Sequence, residues 1–175
     1  MNKRRIGRMV VWLIPILMIM WGSYQLIDLY QGKTSRANAS RMLYEASQFQ
    51  IELMSRFMSE AQNARTSAEL NAVKNAVYSA SFVHDRLVRA YPAGQIDGLE
   101  SLAELLQYIL HLQIGGDRPL KEEERETLHE LEPVVTKLAE AYGGLMTERA
   151  ELNRYERSLL KQLDDDLSKI VQRYN

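Results

Sequence analysis

The sequence predicts an all-α protein: one N-terminal transmembrane helix followed by an extracytoplasmic antiparallel helical bundle. Three observations lead there. Residues 9–27, MVVWLIPILMIMWGSYQLI, carry no charge. Beyond them, apolar residues recur at steps of three and four along nearly the whole chain, the spacing of a helix face. No stretch alternates apolar with polar residues, and the 9 glycines and 4 prolines fall at boundaries, so no strand is expected.

A helix over 9–27 rises about 28 Å, close to the hydrocarbon thickness of a bilayer. Lys3, Arg4, Arg5 and Arg8 precede it, and no acidic residue occurs before Asp28. That asymmetry places the N-terminus in the cytoplasm, and Trp12, Trp21 and Tyr24 suit the membrane–water boundary. The division that follows is a cytoplasmic basic start (1–8), a membrane span (9–27), a juxtamembrane connector (28–38) and a helical bundle (39–175). A cleaved signal peptide shares the basic start and apolar middle, but Trp21-Gly22-Ser23-Tyr24 is a poor cleavage site. The small-x-small site Ala37-Asn38-Ala39 lies too far downstream. A soluble core helix seldom lacks a polar face for so long, and an interfacial helix needs a charged stripe. Pro15 is compatible with a membrane helix.

Four of the 22 basic residues precede the span and all 23 acidic ones follow it, leaving 18 against 23 outside, a net −5. A mildly acidic exterior argues against nucleic-acid binding and against adhesion to anionic lipid. With no cysteine, disulfides, thiolate ligands and a cysteine nucleophile are excluded.

The membrane helix is expected to end near Gly32-Lys33-Thr34-Ser35, and a second helix to run to about Ala64. Its apolar stripe reads Ala39, Leu43, Ala46, Phe49, Leu53, Phe57, Ala61 and Ala64, widened by Met42, Met54 and Met58. A methionine-rich face suits either a groove for a partner or a packed core, and the core is the simpler account. Thr66 and Glu69 match a capping box. The next seam is Leu70, Val73, Val77, Ala80, His84, Leu87 and Tyr91, stopped by Pro92. His84 on that seam is either a pH-responsive group or a hydrogen-bonded histidine at the seam edge. Met54, Phe57, Met58, His84 and Leu87 together form the candidate interaction face.

Asp97 and Glu100 suggest another cap before a short helix, Leu99, Leu102, Leu106, Ile109 and Leu110, ending at Gly115-Gly116. From about Leu120 a long helix begins. Glu122, Glu123 and Glu124 in its first turn complement the helix dipole rather than ligate a cation, because one turn points them in three directions. Its rhythm runs through Leu128, Leu131, Val135, Leu138, Tyr142, Leu145 and Leu152, with a kink expected at Pro133 and a weak point at Gly143-Gly144. The last stripe is Tyr155, Leu159, Leu163, Leu167, Ile170 and Tyr174, and Asp164, Asp165 and Asp166 read as a solvated face. The pattern leaves open whether 120–174 is one kinked helix or two.

No glycine-serine-glycine nucleophile elbow, phosphate loop or histidine–glutamate zinc motif occurs. Neither catalysis nor a metal or other cofactor is expected.

The order of these segments resembles a known family. The carrying residues are the basic start and single span, then Ala39-Ser40-Arg41-Met42-Leu43-Tyr44-Glu45-Ala46, then Ala80 and His84 in a helix ending at Tyr91-Pro92. The most similar stretch is Arg118-Pro119-Leu120-Lys121-Glu122-Glu123-Glu124-Arg125-Glu126-Thr127-Leu128. The chain is similar to the N-terminal helical part of the YpeB family, spore-germination membrane proteins, without their C-terminal repeated domains. The resemblance implies location in the inner spore membrane and mutual stabilisation with a cortex-lytic hydrolase; it transfers no functional residue. The expectation is a non-enzymatic single-pass membrane protein acting through contacts with a protein partner or with itself. The alternative is a sensor bundle passing a ligand or pH signal laterally to another membrane protein.

Overall fold

The computed structural model describes residues 38–147 and 151–173. The chain divides into two compact units, Met1–Ala39 and Ser40–Asn175, and the architecture below is that of the second. The described residues form five α-helices with one 3-10 turn and no strand, only two isolated bridges. Helix α1 covers 38–61. After a 3-10 turn at Ser67–Leu70 come α2 (Asn71–Ala90), α3 (Glu100–Leu112), α4 (Glu122–Gly143) and α5 (Arg154–Gln172). The span expected at 9–27, with its flanking Lys3, Arg4, Arg5, Arg8, Trp12, Trp21 and Tyr24, lies outside the described residues. Among the described residues no helix is long and apolar enough to cross a membrane.

The helix ends follow local chemistry. Tyr91, preceding Pro92, is extended (φ −102°, ψ 154°) and closes α2, because the proline ring excludes the helical conformation there. Gly115 and Gly116 sit at φ +93° and +91° beyond α3, a conformation that side chains with a Cβ rarely adopt. The Glu124 carboxylate accepts the backbone N–H of Lys121 at 2.8 Å, satisfying a donor that the first turn of α4 leaves free. Helix α4 runs unbroken through Pro133. That residue is exposed, so water can reach the carbonyl that the proline leaves unpaired. Gly143-Gly144 does separate two helices: α4 ends there and α5 starts at Arg154, capped by the Asn153 side chain accepting from Tyr155 N–H. Leu145 and Leu152 therefore belong to a connection, not to a helix stripe.

Side-chain pairings give the helix directions. Tyr44 meets Tyr142 and Ser55 meets Thr136, so α1 and α4 are antiparallel. Lys74 near the start of α2 bonds Gln113 just past α3, which makes that pair antiparallel too. Helices α3 and α5 are parallel, with Ser101 against Asp164 and Glu104 against Ser168.

One apolar core joins all five helices, with Ile51, Met54, Leu87, Leu102, Leu128, Leu131, Leu138 and Leu167 among its buried members. The seam expected on α2 is the buried face, from Leu70 through Val73, Val77, Ala80 and His84 to Leu87. The stripe expected on α1 requires correction. Its inward face is Tyr44, Ser47, Ile51, Met54, Met58 and Ala61, while Met42 is 70% and Phe49 60% exposed. Apolar residues surround this helix, so two phases fit the three-four rhythm and only the neighbours select one. On α3 the inward residues are Leu102, Leu105, Tyr108, Ile109 and Leu112, and Leu110 turns outward. On α5 Leu160 and Val171 are buried and Tyr155 faces solvent.

Candidate functional site

A buried polar cluster lies where the start of α1, the end of α2, the loop 91–99, the end of α4 and the start of α5 converge. His84 is 4% exposed and bonds on both sides of its ring. Its Nε2 lies 3.1 Å from the Asp97 carbonyl and its Nδ1 3.0 Å from the Tyr142 hydroxyl. A carbonyl only accepts, so the neutral ring carries its proton on Nε2 and Nδ1 accepts from Tyr142 O–H. Burial lowers the pKa of His84, holding it neutral. Burial likewise pushes the Tyr142 phenol up.

Tyr142 stacks on Tyr44 (centroids 5.9 Å apart, 8° between planes) and meets His84 edge-on. The Tyr44 hydroxyl donates to the Tyr142 carbonyl at 2.8 Å, with the Gly143 carbonyl 3.1 Å away, and so caps the end of α4. On the other side, the Asp97 carboxylate takes both Nε and Nη2 of Arg157, at 2.8 and 3.1 Å. This hydrogen bonding holds the Asp97 carboxyl below its ordinary range. Asp97 is therefore no helix cap: its backbone is held by α2 and its side chain by α5. Helix α3 has Leu99 at its N-cap without a side-chain bond. At Thr66 the capping box is also absent, since the hydroxyl pairs with the Glu69 carboxylate instead of a backbone donor.

Beside His84 is a crevice of about 10 Å³, lined by Ile96, Asp97, Leu99, Leu145, Arg157, Leu160 and Lys161. That is room for roughly one water, not for a substrate. An open trough of about 330 Å³ lies along α1 and α4, lined by Glu52, Ser55, Arg56, Thr136, Ala139, Glu140 and Gly143. Among the described residues no three His, Asp or Glu side chains converge on a metal position. The cluster at His84 can lock five segments together and can respond to protonation.

The residues of the expected interaction face are placed as follows. Met54, Met58 and Leu87 are fully buried, His84 nearly so, and Phe57 is half-buried against the core. These side chains are consumed by packing within the bundle, so they do not form a surface. Instead, the core leaves out Met42, Phe49, Tyr78, Phe82, Leu110, Ile114 and Tyr155. Tyr78 and Phe82 stack on α2, with the Arg86 guanidinium 4.7 Å from the Phe82 centroid. Sequence reasoning also missed Tyr44, Arg157 and the Ser101–Asp164 pair. Asp164 is not on a solvated face, for it accepts both the N–H and the hydroxyl of Ser101. A signal for Tyr44 existed: Tyr44, Ser47, Ile51, Met54, Met58 and Ala61 repeat by three and four as regularly as the apolar stripe.

Fold and cluster together define a helical bundle braced by buried polar contacts. No protein-family model matches the chain, and neither a curated protein nor a solved structure does.

Proposed function

We propose that this is a non-enzymatic, single-pass membrane protein whose extracytoplasmic helices act through protein contacts. The observation carrying the reading is the set of large apolar side chains that the core leaves exposed, above all Met42 and Phe49 on α1 and Tyr78 and Phe82 on α2. The uncharged 9–27 and the four preceding cations support the anchor and its orientation. By resemblance, the setting is the cell or inner spore membrane and the partner a cortex-lytic hydrolase. Two measurements test the proposal. Protease added to intact protoplasts should digest the bundle and spare the first residues; a protected bundle reverses the orientation. A photo-crosslinking amino acid at Phe49 or Phe82 should give protein adducts in membranes, and one at the exposed Lys137 should not. Equal labelling at all three positions, or none, removes the reading.

A second reading is favoured by the His84 cluster. A buried neutral histidine tying the end of α4 to the loop 91–99, with Tyr142 in turn against Tyr44 of α1, suits a sensor whose α1 moves when that ring is charged. Its test is whether adducts from Phe49 change between pH 8 and pH 5 (working values on either side of the ordinary histidine pKa of about 6.5) in the parent but not in His84→Gln.

A further inference from the structure

Helix α1 carries two apolar stripes on opposite sides. The inner one, Tyr44, Ile51 and Met58, is buried in the bundle. Two residues before Tyr44 and Ile51, about 200° around the helix, stand Met42 and Phe49, and Ala46 and Leu53 complete the outer seam, which ends at Arg56, two residues before Met58. Met42 and Phe49 are the exposed large apolar residues of this helix, Ala46 is exposed and Leu53 half-buried.

We propose that this outer seam is the contact between two copies of the chain, their α1 helices parallel and in register. Steps of four, three and four place these side chains at the a and d positions of a heptad, the pattern that packs against its own copy. The flanking charges select the orientation. Glu45 and Glu52 occupy the g positions. An antiparallel pair would set Glu45 against the other copy's Glu52, two like charges. A parallel pair sets them instead against Gln50 and Phe57, which are neutral. The chain preceding α1 adds a second argument, which rests on the membrane reading above. Residues 9–27 of two copies would enter one bilayer from the same side, holding both α1 helices parallel at high effective concentration. Tyr78 and Phe82, on α2, take no part in this seam.

The absence of cysteine makes single-cysteine crosslinking of the full-length chain direct to interpret. In phospholipid vesicles, mild oxidation of Met42→Cys, Ala46→Cys or Phe49→Cys should each give disulfide-linked dimers, and Tyr78→Cys should not. Adding Phe49→Asp to Met42→Cys should lower the dimer yield about tenfold, as expected for a central anchor. Its helical circular dichroism should stay unchanged, because Phe49 is outside the core. Linkage at Tyr78 alone overturns the proposal. So does linkage that appears only when Met42→Cys and Leu53→Cys chains are mixed, the mark of an antiparallel pair. If no position links, the second copy is not the occupant. Photo-adducts from Phe49 to another membrane protein would then leave the wider contact reading intact, and their absence would remove both.

Discussion

The two ends of the bundle are held by different chemistry. At one end, the segment 64–70 and the segment 113–124 bind through bonds that each use at least one backbone group. Ser67 N–H donates to the Arg118 carbonyl at 2.9 Å and Leu120 N–H to the Arg65 carbonyl at 2.8 Å. An Arg118–Glu124 ion pair six residues apart completes it. At the other end, Tyr44, His84, Tyr142 and Asp97 are joined through side chains across separations of 58 and 98 residues. The first end borders the exposed loop residues 114–117, so water can take the place of a lost contact there. The second is dry, so losing one group strands its partner without water, which costs more than the bond itself contributes.

The largest effect should come from the dry end. Tyr142→Ala removes a fully buried ring that touches both Tyr44 and His84. It should cost about 3–5 kcal/mol, as for other large aromatic truncations. Tyr142→Phe keeps the ring and strands His84 Nδ1, for about 1–3 kcal/mol. Urea melts of a chain beginning near Ser35 measure both. If the phenylalanine variant melts with the parent, the hydroxyl contributes nothing and the comparison of ends collapses.

Core leucines set the scale between. Leu87, Leu128, Leu131 and Leu138 are all wholly buried, and each change to alanine should cost about 2–5 kcal/mol. A loss near zero at any one of them would place that side chain at a surface.

Acid gives His84 a pH window of its own, above that of the carboxylates at either end. Because burial lowers the folded pKa of His84, the unfolded chain binds its proton first. Stability should fall as pH drops below about 6.5, the ordinary histidine value, and level off under the lowered folded value. Asp85, Asp97, Arg157 and Lys161 are the charged groups around that ring. Asp97 and Glu124, both held low by hydrogen bonds from arginine, contribute stability that is lost only as pH falls through their own lowered values. Asp164 runs the other way: burial raises its pKa, so acid relieves a cost. Melting of His84→Gln from pH 8 to 5 should lose the slope of the upper window, whatever its stability at pH 8. A slope that survives the substitution would assign it to another group.

At the wet end, Glu124→Gln should destabilise less than Tyr142→Phe, and molar salt should shrink the difference from the parent. Smallest of all, Phe49→Ala and Met42→Ala should leave monomer melting within about 0.5 kcal/mol of the parent, since neither packs in the core.

What the sequence determined by itself was local. The helices, the stop at Pro92 and the reversal at Gly115-Gly116 follow from periodicity and from backbone limits on proline and glycine. The α2 seam was legible because the residues from Leu70 to Leu87 fit one apolar phase through the core. Tertiary structure decided the rest. On α1, Met42 and Phe49 are as regularly spaced as Ile51 and Met58, so the helix alone does not say which face turns inward; α4, with Tyr142 to receive Tyr44, does. Asp97 and Asp164 looked like a cap and a solvated face because their partners, Arg157 and Ser101, lie 60 and 63 residues away. Periodicity records how a helix meets an apolar layer. It carries no record of which polar group lies across that layer, and burial of His84 depends on that neighbour.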